Sequence, residues 1–386
     1  MADIKKLLTV MNKHDASDLY ITVDSPPCYR VNGVVRPAGE TKFNEETTYD
    51  LAYSLMNDKQ QIEFGEKKEQ NLALKVEGLG RYRVNIFQQR DAIGMVIRRI
   101  KTSIPTLDGL NLPKVLSQLS MAKNGLILFV GATGSGKSTS LAAMIDYRNK
   151  NQAGHIVTVE DPIEFIHPHK KSIVTQREVG MDTDSYHDAL KNALRQAPDV
   201  ILIGEIRDLE TMEAAINFAE TGHLCLATLH ANNANQAIER VMNFFPSERH
   251  QQIYMQLSLN LRGIVGQRLI PSTNKARVPA VEIMLGTPRI KDLILKGEIK
   301  DIKEAMKKGA ITGMQTFDMN LFELYSEGRI SQETAIKYAD SANNIRLKIK
   351  LAEEKSLSDA PDPFGEEKKE KDILSENTTG IRFRKA

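Results

Sequence analysis

Cysteine and tryptophan are almost missing from this chain. Two cysteines, Cys28 and Cys225, occur in 386 residues, and there is no tryptophan. Two thiols cannot build a four-cysteine zinc site or a disulfide framework, so no zinc is expected and a reducing cytosol fits. An excess of one charge is missing too: 52 basic residues meet 50 acidic ones, for a net charge of +2. With aromatics at only 6%, that balance argues against a nucleic-acid partner. No apolar run approaches the ~18 residues that span a bilayer. The longest, residues 126–130 (LILFV), runs into glycines. The segment MADIKKLLTVMNKHDASD lacks a long apolar h-region, so no signal peptide is expected. What is present is 41% hydrophobic and 26% charged residues. That is enough for a sizeable core, too apolar for a disordered chain, and of a length that suits two domains or three.

Residues 1–100 read as a small α+β domain. Ile4, Leu7, Leu8 and Met11 have helical spacing, residues 17–23 alternate as a strand, and Pro26-Pro27 breaks it. Residues 29–35 (YRVNGVV) have the form of a hairpin turning at Asn32-Gly33. Residues 47–56 are helical by spacing. Residues 72–76 and 81–87 read as strands joined through Gly78 and Gly80, and 93–100 as a closing strand. Residues 101–113, with Ser103, Pro105, Gly109 and Pro113, are the expected linker.

Beyond it the pattern changes to short apolar runs at 126–130, 156–159, 200–203 and 224–228. Helical stretches at 138–147, 186–196 and 211–220 separate them. Buried parallel strands alternating with helices indicate an α/β nucleotide-binding domain. From about residue 288 the chain turns helical, at 290–295, 299–308, 317–327 and 331–339, with Gly297, Gly309 and Gly328 between segments. The second domain is expected over 114–352. Residues 353–386 read as a disordered charged tail.

The chemistry concentrates in one stretch. Gly131-Ala132-Thr133-Gly134-Ser135-Gly136-Lys137-Ser138 matches G-x-x-x-x-G-K-[ST] in full, with Thr139 following. It comes after an apolar strand and opens a helix, the context such a loop needs. Its N–H groups would surround phosphates, Lys137 would reach the β/γ oxygens, and Ser138 would bind Mg²⁺. Residues 199–205 (DVILIGE) end an apolar strand in a carboxylate, Glu205. Residues 160–164 (EDPIE) end another in Glu160 and Glu164. In an open parallel sheet both clusters should face the phosphate loop. Asp161 is also ordinary turn chemistry before Pro162. His223 and His230 flank residues 224–229; histidines hydrogen-bonded at the two ends of a strand fit better than a metal site. Most arginines in a charge-balanced protein are solvated. Five are nevertheless candidates to neutralise phosphate charge across a subunit boundary: Arg81 and Arg83 in the first domain, and Arg195, Arg207 and Arg240 in the second.

The order GATGSGKST, ITVEDPIEF, RQAPDVILIGEIRD and ETGHLCLATLHANNA resembles the secretion ATPase superfamily, where these are the Walker A, Asp box, Walker B and His box. ASDLYITVDSPPCYRVNG and GRYRVNIFQQR fit it in the first domain. So does the stretch from VPAVEIMLGTPRIKDLI to GMQTFDMNLFELYSEGRI. The resemblance reaches about residue 352 and is nearest to the retraction ATPases of type IV pili, the PilT/PilU group. Ala197, Gly180, Met181 and the charged tail point to its PilU-like branch. Pilus extension and type II secretion ATPases of the superfamily carry a longer N-terminal region and a four-cysteine zinc insertion, and this chain has neither.

The resemblance implies a PAS-like first domain, a RecA-like P-loop domain with a helical C-terminal part, and a homo-hexamer that binds ATP and Mg²⁺. It implies that hydrolysis drives pilus retraction and twitching motility. It also implies a cytoplasmic location at the inner-membrane base of the pilus, with the pilus platform protein and a PilT-like ATPase as partners. By motif, Glu205 and Glu164 become the acidic catalytic residues, with Lys137, Arg207 and His230 beside them and Ser138 and Glu205 at the metal. Glu160 and His223 join the loop residues as nucleotide contacts, with Arg81, Arg83, Arg195 and Arg240 as further candidates. Two other readings stand: a slow or partner-dependent ATP-binding accessory subunit, and a RecA-type nucleic-acid motor, which salt-dependent DNA binding would favour.

Overall fold

The computed structural model describes residues 3–100, 102–274 and 276–358. Strands β1 (Asp18–Ile21), β2 (Cys28–Val31), β3 (Val34–Pro37), β4 (Glu69–Val76), β5 (Gly80–Gln89) and β6 (Ala92–Ile100) form a first sheet. Their order is β3-β2-β1-β6-β5-β4, and every pairing is antiparallel. The hairpin turns at Asn32 and Gly33, both at positive φ, as the sequence predicts. Tyr82, Val84 and Ile86 alternate into the core against Leu8 and Met11 of the helix Ile4–Lys13 and Leu51 of the helix Glu45–Leu55. A further helix, Asp58–Lys67, has no counterpart in the sequence reading. Only Phe64 of that helix is buried, so hydrophobic spacing is silent there; the legible sign is a capping box between Asn57 and Gln60.

Asp18 locks the centre of this sheet. Its cross-strand partners are Arg30 on β2 and Arg98 on β6. Its buried carboxylate meets both guanidinium groups, at 3.3 and 2.8 Å.

The second sheet holds β7 (Gly125–Val130), β8 (Gly154–Glu160), β9 (Ser172–Glu178), β10 (Val200–Ile206), β11 (Leu224–Leu229), β12 (Leu261–Pro271) and β13 (Arg277–Leu285). The order is β13-β12-β7-β11-β10-β8-β9; all neighbours are parallel except β12 and β13. The four apolar runs are the strands expected. The other three are not anticipated by the sequence, since SIVTQRE at the sheet edge is mostly polar and polar residues, Gln267 and Glu282 among them, interrupt the apolar runs of β12 and β13. Helices Ala234–Met242 and His250–Asn260 are likewise unanticipated.

Helices cover both faces. Leu141, Met144 and Ile145 of the helix Lys137–Asn151 pack on one. Met212, Ile238, Ile253 and Leu293 pack on the other. Leu107 and Leu112, inside the expected linker, are buried in the first of these layers. A smaller core under Phe317, Leu321, Ile345 and Ile349 joins the C-terminal helices to β12 and β13. The last helix, Ala342–Ser358, runs past residue 353, where the sequence predicts a tail. The rest of that tail, 359–386, lies outside the described residues.

Two predictions follow from these cores. Both arginines beside Asp18 are surface groups that water can solvate once unpaired, with side chains 37% and 67% exposed. Asp18→Ala should therefore cost about 1–2 kcal/mol, less than breaking a fully buried pair. Denaturant unfolding followed at the first domain measures it. Glu282 on β13 accepts the Ala234 N–H at 2.7 Å, and its other oxygen has no partner. Burial pushes its carboxyl up to about 7, from an ordinary 4.5; the Ala234 bond, Lys303 and Arg268 act against burial, and Asp340 adds to it. The native state thus holds this proton more tightly than the unfolded chain. Its contribution is complete below pH 4.5 and is lost as pH rises through 7. Wild type should lose up to about 3 kcal/mol relative to Glu282→Gln between pH 5 and pH 8. Urea midpoints of both proteins at the two pH values test this, and an unchanged difference would refute it.

Candidate active site

The phosphate loop leaves the carboxyl end of β7, in the middle of the second sheet, and its conformation depends on glycine at two points. Gly131 and Gly136 have φ of 151° and 90°. A Cβ on Gly131 would lie 2.4 Å from the Gln267 carbonyl oxygen, and one on Gly136 2.7 Å from Gln267 Nε2. β12 therefore presses directly on the loop. Gln267 also accepts a hydrogen bond from Ser140 Oγ at 2.8 Å, fixing the first turn of the helix that follows. No side chain caps that helix. Its first N–H groups thus remain available to an anion.

Lys137 is 9% exposed and donates to the carbonyls of Gly131 and Ala132, at 2.8 and 3.0 Å. Burial lowers its pKa, while Glu205 and Glu164 oppose that shift. A buried ammonium satisfied only by carbonyls of its own loop is poised to take a stronger anionic partner.

The acidic residues converge here because β8 and β10 end at the same edge of the sheet. The ladder between β10 and β11 shifts register between Ile203 and Ile206, around Glu205. Such an irregularity re-aims a side chain. Glu205 Oε2 accepts from Arg207 Nε at 2.7 Å, and His230 Nε2 lies 2.7 Å from Oε1. Arg207 also reaches Asp161 at 3.3 Å. Glu160 accepts from Thr158 Oγ1 and Gln176 Nε2 at 2.7 and 3.2 Å. Burial still pushes its carboxyl up to about 7, with Glu164 nearby adding to the shift.

A cavity of about 340 Å³ gathers Thr133, Gly134, Lys137, Ser138, Glu160, Glu164, Glu205, Arg207 and His230. A second, of about 530 Å³, lies on the far side of the loop. It joins Gly131, Ala132, Thr133 and His230 to Arg240, whose guanidinium sits 5.2 Å over the Phe244 ring. A third, of about 680 Å³, runs from Gly136, Thr139 and Ser140 to Arg277 and Arg329. Ser135 Oγ is buried between these spaces with no partner.

Four sequence candidates stay outside. His223 precedes β11, whereas His230 follows it. At about 3.3 Å per residue the two are roughly 20 Å apart, on opposite edges of the sheet. His223 Nδ1 instead sits 3.0 Å from Thr221 Oγ1. Within one chain it thus stands apart from the phosphate loop. Arg195 lies in the 3₁₀ turn Leu194–Gln196 ahead of β10, at that same far edge. Arg81 and Arg83 are on β5, on the face opposite buried Tyr82 and Val84, and line none of the three cavities.

Sequence reasoning passed over Gln267, Arg277, Arg329 and Tyr186. Tyr186 has a buried hydroxyl without a partner, next to Gly204 and among the acidic residues. A legible signal existed for Gln267 alone: a lone amide in an apolar strand asks for a reason.

Comparison with known proteins gives the family. The model of the family described as type II/IV secretion system protein matches residues 1–356. The chain is 56% identical over 353 residues to the type IV pilus ATPase PilU of Pseudomonas aeruginosa, covering 91% of this chain and 92% of that one. Identity to the type IV pilus retraction ATPase PilT of the same organism is 43% over 343 residues, covering 89% and 100%. The crystal structure of the pilus retraction motor PilT with bound ADP superposes with a TM-score of 0.84 at 39% identity, covering 89% of this chain and 99% of that one. The chain therefore belongs to the type II/IV secretion system protein family, and within it shares more sequence with the PilU relative than with PilT.

Proposed function

We propose that this protein is a motor ATPase of type IV pilus retraction, acting as a PilU-like companion of a PilT-like ATPase. The observation that carries the reading is the convergence of Lys137, Ser138, Glu164, Glu205 and His230 on one cavity at the end of β7. Lys137 exchanges its loop carbonyls for the β/γ-phosphate oxygens, and the uncapped helix N-terminus adds N–H donors. The triphosphate lies in the 340 Å³ cavity, and the nucleoside extends past Gly136 and Thr139 into the 680 Å³ cavity beside Arg277 and Arg329.

The donors around Ser138 are hydroxyl and carboxylate oxygens, which suit Mg²⁺. Among the described residues no three His, Cys, Asp or Glu side chains converge on a metal ion. Mg²⁺ fits as an ion shared with phosphate, held by Ser138 and Glu205, where it would neutralise charge on the nucleotide. Glu205 and Glu164 divide the work of orienting water and supporting the metal. His230 and Arg207 set the Glu205 carboxylate.

Glu205 is held between Arg207 and His230, one on each oxygen, and each oxygen keeps a further lone pair for water or metal. The greater identity to PilU than to PilT favours the partner-dependent reading, in which the isolated protein hydrolyses ATP slowly. Arg81, Arg83 and Arg195 serve a neighbouring subunit of a hexameric ring, while Arg240 faces its own phosphate loop. The ring works in the cytoplasm against the pilus platform protein at the inner membrane.

Mg-dependent ATP hydrolysis by the purified protein is the decisive assay. Lys137→Ala should abolish both nucleotide binding and hydrolysis. Glu205→Gln should keep nucleotide binding and lose about 10²–10³-fold in kcat. Adding a PilT-like ATPase should raise turnover per site. Hydrolysis that survives both substitutions would overturn the reading, and tight salt-dependent DNA binding would return the nucleic-acid motor to consideration.

A further inference from the structure

The loop that carries His230 against Glu205 is short. Asn233 already caps the next helix through the Gln236 N–H. Two side chains hold this loop from behind, on the same face of adjacent strands. Glu282 on β13 accepts the Ala234 N–H, and Arg268 on β12 donates Nη2 to the Asn232 carbonyl at 3.2 Å.

Arg268 does more than brace the loop. Its Nη1 donates to the Tyr338 carbonyl at 2.7 Å and its Nη2 to Asp340 Oδ1 at 2.6 Å. The guanidinium lies 3.7 Å over the ring of Phe317, a fully buried residue at the start of the helix Phe317–Ser326. Asp340 is also paired with Lys303, and its own N–H donates to Asp318 Oδ1 at 2.8 Å. One rigid planar group thus touches the His230 loop on one side and the C-terminal helical core on the other. A guanidinium can do this because its donors point in fixed directions in one plane. An apolar contact would slide; this one has a single arrangement for each position of the loop.

We propose that Arg268 is a positioning residue: it sets His230 against Glu205 and transmits displacement of that loop to the C-terminal helices. The proposal rests on the ATPase reading above. A phosphate-driven shift of His230 moves the Asn232 carbonyl. Arg268 follows it, and Asp340 and Phe317 follow Arg268. Coupling carried by such a network amounts to 0.5–2 kcal/mol per residue in general, roughly 2–30-fold in a rate.

The test compares wild type with Arg268→Gln, Arg268→Lys, His230→Ala and the double variant Arg268→Gln/His230→Ala. Arg268→Gln should lower kcat about 10-fold and leave KM for ATP within about twofold, because nucleotide contacts are untouched. Arg268→Lys keeps the charge over Phe317 but cannot reach Asn232 and Asp340 together, so its kcat should be intermediate. The double variant should be no slower than His230→Ala alone, because Arg268 acts through His230. Additive losses, or an unchanged kcat in Arg268→Gln, overturn the proposal.

Hydrogen exchange supplies a readout that needs no turnover. Adenylyl-imidodiphosphate with Mg²⁺ should change protection over residues 317–349 in wild type and not in Arg268→Gln. Equal changes in both proteins overturn the coupling. An absence of hydrolysis in wild type, with the exchange response intact and dependent on Arg268, would instead fail the ATPase reading and leave the mechanical joint standing.

Discussion

The phosphate loop is wedged between the end of β7 and the flank of β12, and the rest of the molecule is arranged around that wedge. Gln267 leaves no room for a side chain at Gly131 or Gly136 and takes the hydroxyl of Ser140. Protein interiors are nearly incompressible, so a loop seated this closely cannot drift from its strand. Lys137, Ser138 and the helix N-terminus inherit their positions from that contact. β12 therefore supplies a rigid wall for the loop, on the side of β7 away from β8 and β10.

Electrostatics then sets what the site can do. A buried lysine, a carboxylate held at both oxygens and a second carboxylate pushed toward neutrality share one small space. Glu205 and Glu164 offset part of the cost of burying Lys137, while burial keeps the Glu160 carboxyl raised. Lys137 sits on its own loop, and Glu205 is shared by Arg207 and His230.

The same strands that hold the loop also reach outward. Arg268 follows Gln267 in sequence, so neighbouring residues of β12 face opposite sides of the sheet. Gln267 meets the phosphate-loop helix on one face, while Arg268 meets the His230 loop and the C-terminal core on the other. On the proposal above, this alternation makes β12 the link between nucleotide and the C-terminal helices.

Much of this was legible in the residues. The G-x-x-x-x-G-K-S match after an apolar strand located the phosphate loop, because local backbone chemistry alone demands those glycines. Apolar runs ending in Glu160 and Glu205 located the carboxylates, because parallel strands end at one edge. The hairpin at Asn32-Gly33 and most of the first sheet were equally local. What escaped was non-local. β12 and β13 hide polar side chains whose partners lie far away in sequence, so no window of residues explains Gln267, Arg268 or Glu282. His223 and His230 look like a pair in sequence, yet a strand holds them at opposite edges. Sequence by itself determined the chemistry available, since motif and strand periodicity depend on neighbours along the chain. Only the tertiary structure decided which groups meet, because burial, register and the packing of one strand's flank against another's loop depend on contacts between distant residues.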